Sequence, residues 1–353
     1  MNPQKQAELQ QHLDAIAKIL YQEADPAELT TLEGIEKNVR AQAQEHVLPQ
    51  LGNFFINAAT DRPTGKQRTL TSILGRLTLT TAQAQQLQVE PRTRWSPYFF
   101  KCCAVVTANA SYQRAEEDIA MLTGLSISHS TLQRFVQRED WCEVEVTEPI
   151  EELSLDGGMI RLRTEEGQPG QWREYKALNV HEHGGVAFFK DNEGLIDWVN
   201  IQLLAELFIS LGDGHDGVWN IFDGIGTPEQ RIEVLDWYHL MENAHKVQGT
   251  AAQLSRIRAL LWRGETRQVI RYLRQERCRG ATRFINYLKH HSKRIIDYQV
   301  WQEAGHSIGS GQVESLVKQI GLRVKLPGAQ WREENVPKVL KHRCAYLNGD
   351  LAA

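Results

Sequence analysis

The chain has 353 residues, 44 of them acidic and 40 basic, with 41% apolar residues. That length allows two or three domains with a sizeable core, and the charged and apolar fractions are ordinary for a soluble protein. No run of about 18 apolar residues occurs, which excludes a membrane-spanning helix. The opening Met1-Asn2-Pro3-Gln4-Lys5-Gln6 is polar and shows no signal-peptide pattern, so the expected location is the cytoplasm.

Residues 3–22 and 27–48 are predicted as two amphipathic helices, broken at Asp25-Pro26, with Leu9, Leu13, Ile16 and Ile19 on one face of the first. Residues 57–68, with Pro63 and Gly65, read as a linker, and residues 69–81 as a hairpin of alternating Leu and Thr around Gly75. Residues 112–123 read as a helix with Ala115, Ile119 and Leu122 inward, ended by Gly124. After the short turn Leu125-Ser126-Ile127-Ser128, a second helix carries Leu132, Phe135 and Val136 inward. This is the spacing of a helix-turn-helix, or equally of an ordinary helical hairpin. In the first case Ser130, Gln133, Arg134 and Arg138 lie on the outer face of a recognition helix.

Past residue 150 the pattern changes to strands. Glu151-Glu152-Leu153-Ser154-Leu155-Asp156 reads as a strand ending in an aspartate, and Gly157-Gly158 as the turn to a partner strand over 159–164. Residues 175–181 and 185–190 give further strands, and 196–204 a helix. Leu207 to Asp213 is a second apolar strand ending in an aspartate, and Ile232 to Asp236 a third. This order implies a mixed α/β sheet, in which ligands gather outside the carboxyl ends of strands. Asp156 and Asp213 sit at such ends.

Charge is segregated. Residues 114–155 are rich in acid. Twelve basic residues fall between Arg256 and Arg294, among them Arg267, Arg271, Arg274 and Arg277, against only Glu265 and Glu276. Either this is a DNA-contacting surface, with Arg267, Arg271 and Arg274 on phosphates, or a solvated helix face. The cysteines, Cys102, Cys103, Cys142, Cys278 and Cys344, form no Cys-x-x-Cys pair, so reduced thiols are expected, with neither zinc nor disulfides.

Ile308-Gly309-Ser310-Gly311-Gln312-Val313-Glu314-Ser315 places Glu314 in the first turn of a helix whose buried face is Val313, Leu316, Val317 and Ile320. A glutamate there also favours a helix N-terminus electrostatically. Two strand-end aspartates and a helical glutamate suit two Mg²⁺ or Mn²⁺ ions and an in-line phosphoryl displacement. Neither a Walker A loop nor a Gly-x-Ser-x-Gly elbow is present. Asp236 and His239 read as a pair that hydrogen-bond each other and fix a strand-to-helix junction rather than bind metal. Trp219, Trp237 and Trp262 read as core or junction aromatics, and Trp301 or Trp331 as a platform for an unpaired base.

The set Asp156-Gly157-Gly158, Gly212-Asp213-Gly214, Asp236-Trp237-Tyr238-His239 and Ile308 to Ser315 resembles bacterial insertion-sequence transposases of the ISKra type, over about residues 69–345. These belong to the DDE superfamily with a ribonuclease H-like catalytic core. The resemblance implies that Asp156, Asp213 and Glu314 are the catalytic, metal-binding triad, with two Mg²⁺ or Mn²⁺ per site. Asp216 is a nearby competitor for the second position, but the strand end favours Asp213. The implied layout is a mainly helical region, 1–100, and a helix-turn-helix DNA-binding region, 101–148. The α/β core follows over 149–239, with a basic helical insertion at 240–305 and the glutamate and closing helices at 306–353. The implied activity is DNA transposition on the nucleoid: binding terminal inverted repeats, cutting with two metals, and transferring 3′ ends to target DNA as a dimer or larger assembly. A metal-dependent nuclease or resolvase without strand transfer, and a domesticated DNA-binding regulator, are the alternatives.

Overall fold

A computed structural model describes residues 1–60, 64–141, 143–276 and 278–351; Pro63, Cys142 and Arg277, named above, lie outside them. The chain divides into two compact units, residues 1–134 and 135–353.

In the first unit, α1 (Pro3–Glu23) starts where Asn2 accepts from Lys5 N and a proline takes the first helical position. α2 (Leu32–Gln42) and α3 (Leu48–Ala59) follow, joined by a turn of π-helix. β1 (Gln67–Ser72) and β2 (Gly75–Thr80) form the expected antiparallel hairpin. Gly75 has φ +95°, and a side chain there would run into the Gln44 carbonyl. A capping box of Thr80 and Gln83 opens α4 (Thr81–Gln86). α5 (Pro97–Asn109) and α6 (Tyr112–Thr123) follow, and α7 (His129–Arg138) spans the division at residue 134. Ser111 caps α6, and Gly124, at φ +75°, ends it. Ala115, Ile119 and Leu132 are buried as expected, but Leu122 is 67% exposed. The apolar stripe of α1 is likewise uncovered: no residue of that helix is buried.

The second unit is a mixed α/β fold around a five-stranded sheet. Its strands are β3 (Ile150–Leu162), β4 (Gln171–Val180), β5 (Gly184–Phe189), β6 (Leu204–Gly212) and β7 (Arg231–Leu235). They lie in the order β5-β4-β3-β6-β7. β4 is antiparallel to both β3 and β5, whereas β6 and β7 run parallel to β3. α8 (Asn192–Asn200) makes the crossover from β5 to β6, and α9 (Asp216–Phe222) lies between β6 and β7. α10 (Trp237–His245), α11 (Ala251–Trp262), α12 (Thr266–Glu276), α13 (Ala281–His290) and α14 (Tyr298–Glu303) form the helical stretch before α15 (Gly311–Val324) and α16 (Val336–Asn348).

Alternate residues of β4 go to opposite faces. Tyr175 reaches α15, donating to the Val317 carbonyl at 3.3 Å. Leu178 and Val180 join an apolar cluster with Leu195 and Trp198 of α8 and Val218 and Phe222 of α9. Ile257, Leu261, Val269, Leu273 and Leu288 belong to the same cluster, so the helical stretch shares the core of the sheet.

One expectation is corrected. Gly157-Gly158 is no turn and Asp156 no strand end: β3 runs through all three as a single strand, paired to β4 from Leu153↔Val180 to Leu162↔Gln171. Gly158 is needed because the Tyr175 ring fills its side-chain space, whereas at Gly157 only the movable end of Glu174 stands in the way. A Cβ on Gly158 would lie 2.1 Å from the Tyr175 ring, and one on Gly157 2.3 Å from Glu174. Among the described residues no helix is long and apolar enough to cross a membrane.

Candidate metal centre

The register of the three parallel strands puts Leu155, Gly212 and Leu235 in one row. The next residue on each is an aspartate: Asp156, Asp213 and Asp236. Asp156 shares its face with Gly158, and therefore with Tyr175 and α15. Glu314 stands in the first turn of that helix. Four carboxylates from four distant segments thus gather at the carboxyl end of the sheet.

The strands do this because their apolar runs stop at the same level, and α15 is fastened there residue by residue. Trp237 N donates to the Ile308 carbonyl at 2.9 Å. Gly309 lies under the Tyr238 ring, 2.6 Å from where its Cβ would be. Ser310 donates through both its N–H and its Oγ to Asp236 Oδ2, the second at 2.6 Å. Gln312 accepts from Asn179 Nδ2 at 2.8 Å, and Val313 is fully buried. The motif 308–315 is therefore a docking strip for the helix that carries Glu314. Ser310 and Gln312 had no assigned role in the sequence, since their partners lie 74 and 133 residues away.

Asp236 is completely buried and caps α10 by accepting from His239 N at 2.8 Å. Burial opposes its charge, but the His239 and Ser310 donors outweigh that and hold its carboxyl below the usual range. His239 Nδ1 lies 3.5 Å from Asp236 Oδ1, an ion-pair contact without a well-formed hydrogen bond. The Asp236 carboxylate nonetheless raises His239 to about 9, so the imidazole is charged at neutral pH. Asp156 is shifted upward, first by burial and then by the Asp213 and Glu314 carboxylates, against the Gly157 N–H that it accepts at 2.6 Å.

Asp213 accepts from His215 N at 2.8 Å, which shapes the turn after β6. Asp216 faces elsewhere: it is exposed and bonds His290 Nε2 at 2.7 Å, and that bond lowers its carboxyl. Ligand atoms of Asp236, His239 and Glu314 all lie within 4.8 Å of one another, the one such group among the described residues. Asp236 is a poor ligand in that trio, since both its oxygens already accept internal bonds. Asp156, Asp213 and Glu314 each accept one internal bond, from Gly157 N, His215 N and Lys318 Nζ, and they do not meet as closely as that trio. Hard carboxylate donors of this kind fit Mg²⁺ or Mn²⁺.

The other predicted residues belong to other elements. Ser130, Gln133, Arg134 and Arg138 are exposed along α7, and Arg267, Arg271 and Arg274 along α12. Arg294, counted with the basic stretch, is instead half-buried, paired with Glu233 at 2.6 Å and stacked over Trp219. The platform reading of Trp331 is corrected: it is 8% exposed and donates to the Val324 carbonyl. Trp301 is half-buried and donates to the Ser307 carbonyl at 3.2 Å. Burial pushes the Cys103 and Cys344 thiols up to about 12, so neither is reactive. No family model matches this chain, and no curated protein matches it.

Proposed function

We propose that the chain is a DNA transposase of the DDE type, with a ribonuclease H-like core and a helix-turn-helix DNA-binding region. The observation that carries the reading is the row Asp156–Asp213, one inside β3 and the other just past the end of the parallel β6, with Glu314 facing it from α15. The sheet order, with three antiparallel strands extended by two parallel ones, supports the ribonuclease H-like part. The short turn from α6 to α7, with exposed Ser130, Gln133, Arg134 and Arg138, supports the helix-turn-helix. The exposed arginines of α12 support phosphate contacts.

Asp156, Asp213 and Glu314 would hold two Mg²⁺ or Mn²⁺ ions, which when bound activate a nucleophile and stabilise the leaving oxygen. The protein's own part is orientation. Asp236 fixes the start of α15 through Ser310, which sets Glu314 against the strand ends. His239 supplies a positive charge among the carboxylates. The protein would work on the nucleoid as a dimer or larger assembly, with element ends and target DNA as partners.

Transfer of a labelled DNA end, taken from the repeats flanking the reading frame, into plasmid DNA tests the reading. Joined products in Mn²⁺ support a transposase. Cutting without joining would leave a metal-dependent nuclease, and binding without cutting a domesticated regulator.

A further inference from the structure

α1 carries Leu9, Leu13, Ile16 and Leu20 at successive spacings of four, three and four residues. This is the a/d alternation of a coiled coil, here four layers without a polar residue. The chain itself leaves the seam open. No residue of α1 is buried, with Leu9 44% and Leu13 47% exposed. Its side-chain hydrogen bonds stay within the helix and its cap: Gln10 donates to Asp14 at 2.8 Å, and Asn2 accepts from Lys5 N. α2, the next α-helix, buries no residue either. A helix of this length is marginal in water by itself and draws its stability from packing its apolar face.

The charges of α1 select the occupant. Lys5 and Lys18 stand against Glu8, Asp14 and Glu23. The helix therefore lacks the basic face that a lipid surface or DNA phosphates would recruit. Among the positions beside the seam, Lys5, Gln10, His12, Ala17 and Ile19, only Lys5 is charged. Two such helices can approach without like charges facing across the seam.

The seam also matches itself. Its four residues are symmetric about the midpoint between Leu13 and Ile16. A two-fold antiparallel pairing sets Leu9 against Leu20 of the other copy and Leu13 against Ile16. The next positions along the repeat are Gln6 and Glu23. Antiparallel helices put Glu23 opposite Gln6, whereas parallel ones would put it opposite a second Glu23.

We infer that α1 is a dimerisation element, which pairs antiparallel with α1 of a second copy of this chain. Four layers make a short seam, so the pairing depends on concentration. The inference is independent of the phosphoryl-transfer reading, and its failure would leave that reading standing.

The test is sedimentation equilibrium of the full chain, without DNA, over a dilution series. Wild type should reach the mass of two chains when concentrated and fall to that of one on dilution. Leu9→Lys with Leu13→Lys keeps the helix propensity but charges the seam, and should weaken pairing about a hundredfold or more. Gln11→Lys, on the outer face, should pair like wild type. Gln6→Lys should pair a few-fold more tightly, because it would face Glu23 of the other copy. A single-chain mass at every concentration overturns the inference, and so does a two-chain mass that survives Leu9→Lys with Leu13→Lys. Weaker pairing in Gln6→Lys overturns the antiparallel arrangement. Melting at the dilution where wild type is a single chain is the remaining control. The double variant should melt there with wild type, and a melting temperature several degrees lower would show that α1 packs on its own chain and overturn the inference.

Discussion

Asp236 and Ser310 are 74 residues apart, yet the Ser310 N–H and hydroxyl both donate to one oxygen of the Asp236 carboxylate. The end of β7 and the start of α15 are thereby one unit. Ser310→Ala should cost roughly 1.5–3 kcal/mol, the range for a hydrogen bond to a charged group. Asp236→Ala should cost about 3–5 kcal/mol, because it orphans buried donors and leaves His239 without its carboxylate. Denaturant midpoints measure both. Equal midpoints for wild type and Ser310→Ala would mean that the link is not maintained in solution.

Gly158 faces the Tyr175 ring, with only 2.1 Å for an added Cβ. Gly158→Ala should therefore destabilise by about 1–3 kcal/mol or more through overpacking. Gly311→Ala is the control, since nothing lies within 4 Å of its added Cβ. It should be neutral in a melting experiment. Equal losses at the two positions would contradict the continuous β3–β4 pairing.

How much of this was legible in the sequence depended on how local the cause was. The strands ending at Asp213 and Asp236 were readable, because each apolar run stops where its strand stops. Gly124 and Gly75 were readable as punctuation for the same reason. Gly157-Gly158 was misread as a turn because its cause is Tyr175 and Glu174 on the partner strand. Asp236 and His239 were expected to bond each other. They do, through His239 N on the carboxylate that caps α10; the same carboxylate also captures Ser310, a contact that spacing cannot reveal. Trp331 looked like a surface platform because its cover comes from elsewhere: its ring packs under the Arg323 guanidinium, 4.9 Å from the centroid.

His291 is 2% exposed and held at about 4, chiefly by burial and then by the His290 and Arg294 charges. The unfolded chain protonates this group near pH 6.5. Stability from the neutral imidazole is therefore complete above about pH 6.5 and is lost as pH falls toward 4. The full loss is about 3 kcal/mol. His291→Gln should flatten the difference in unfolding free energy between pH 7 and 4.5 relative to wild type. Parallel pH profiles would assign the acid sensitivity to other groups.

Arg267, Arg271 and Arg274 are exposed on α12. If they contact phosphates, replacing all three with Gln should lower the slope of log affinity against log salt by about one unit per lost contact. Affinity for unrelated duplexes should fall to the same extent. An unchanged slope would return this face to solvent.

Asp156, Asp213 and Glu314 are proposed to act together in phosphoryl transfer. The most direct measurement is Mn²⁺-dependent cleavage of end DNA by Asp156→Asn, Asp213→Asn and Glu314→Gln, beside Asp216→Asn. Asp216 is occupied by His290, at 2.7 Å, away from the strand ends. The first three should lose cleavage while still binding the DNA, and Asp216→Asn should keep most of its activity. Cleavage that survives Asp213→Asn and Glu314→Gln, or that is lost with Asp216→Asn alone, would contradict that joint role.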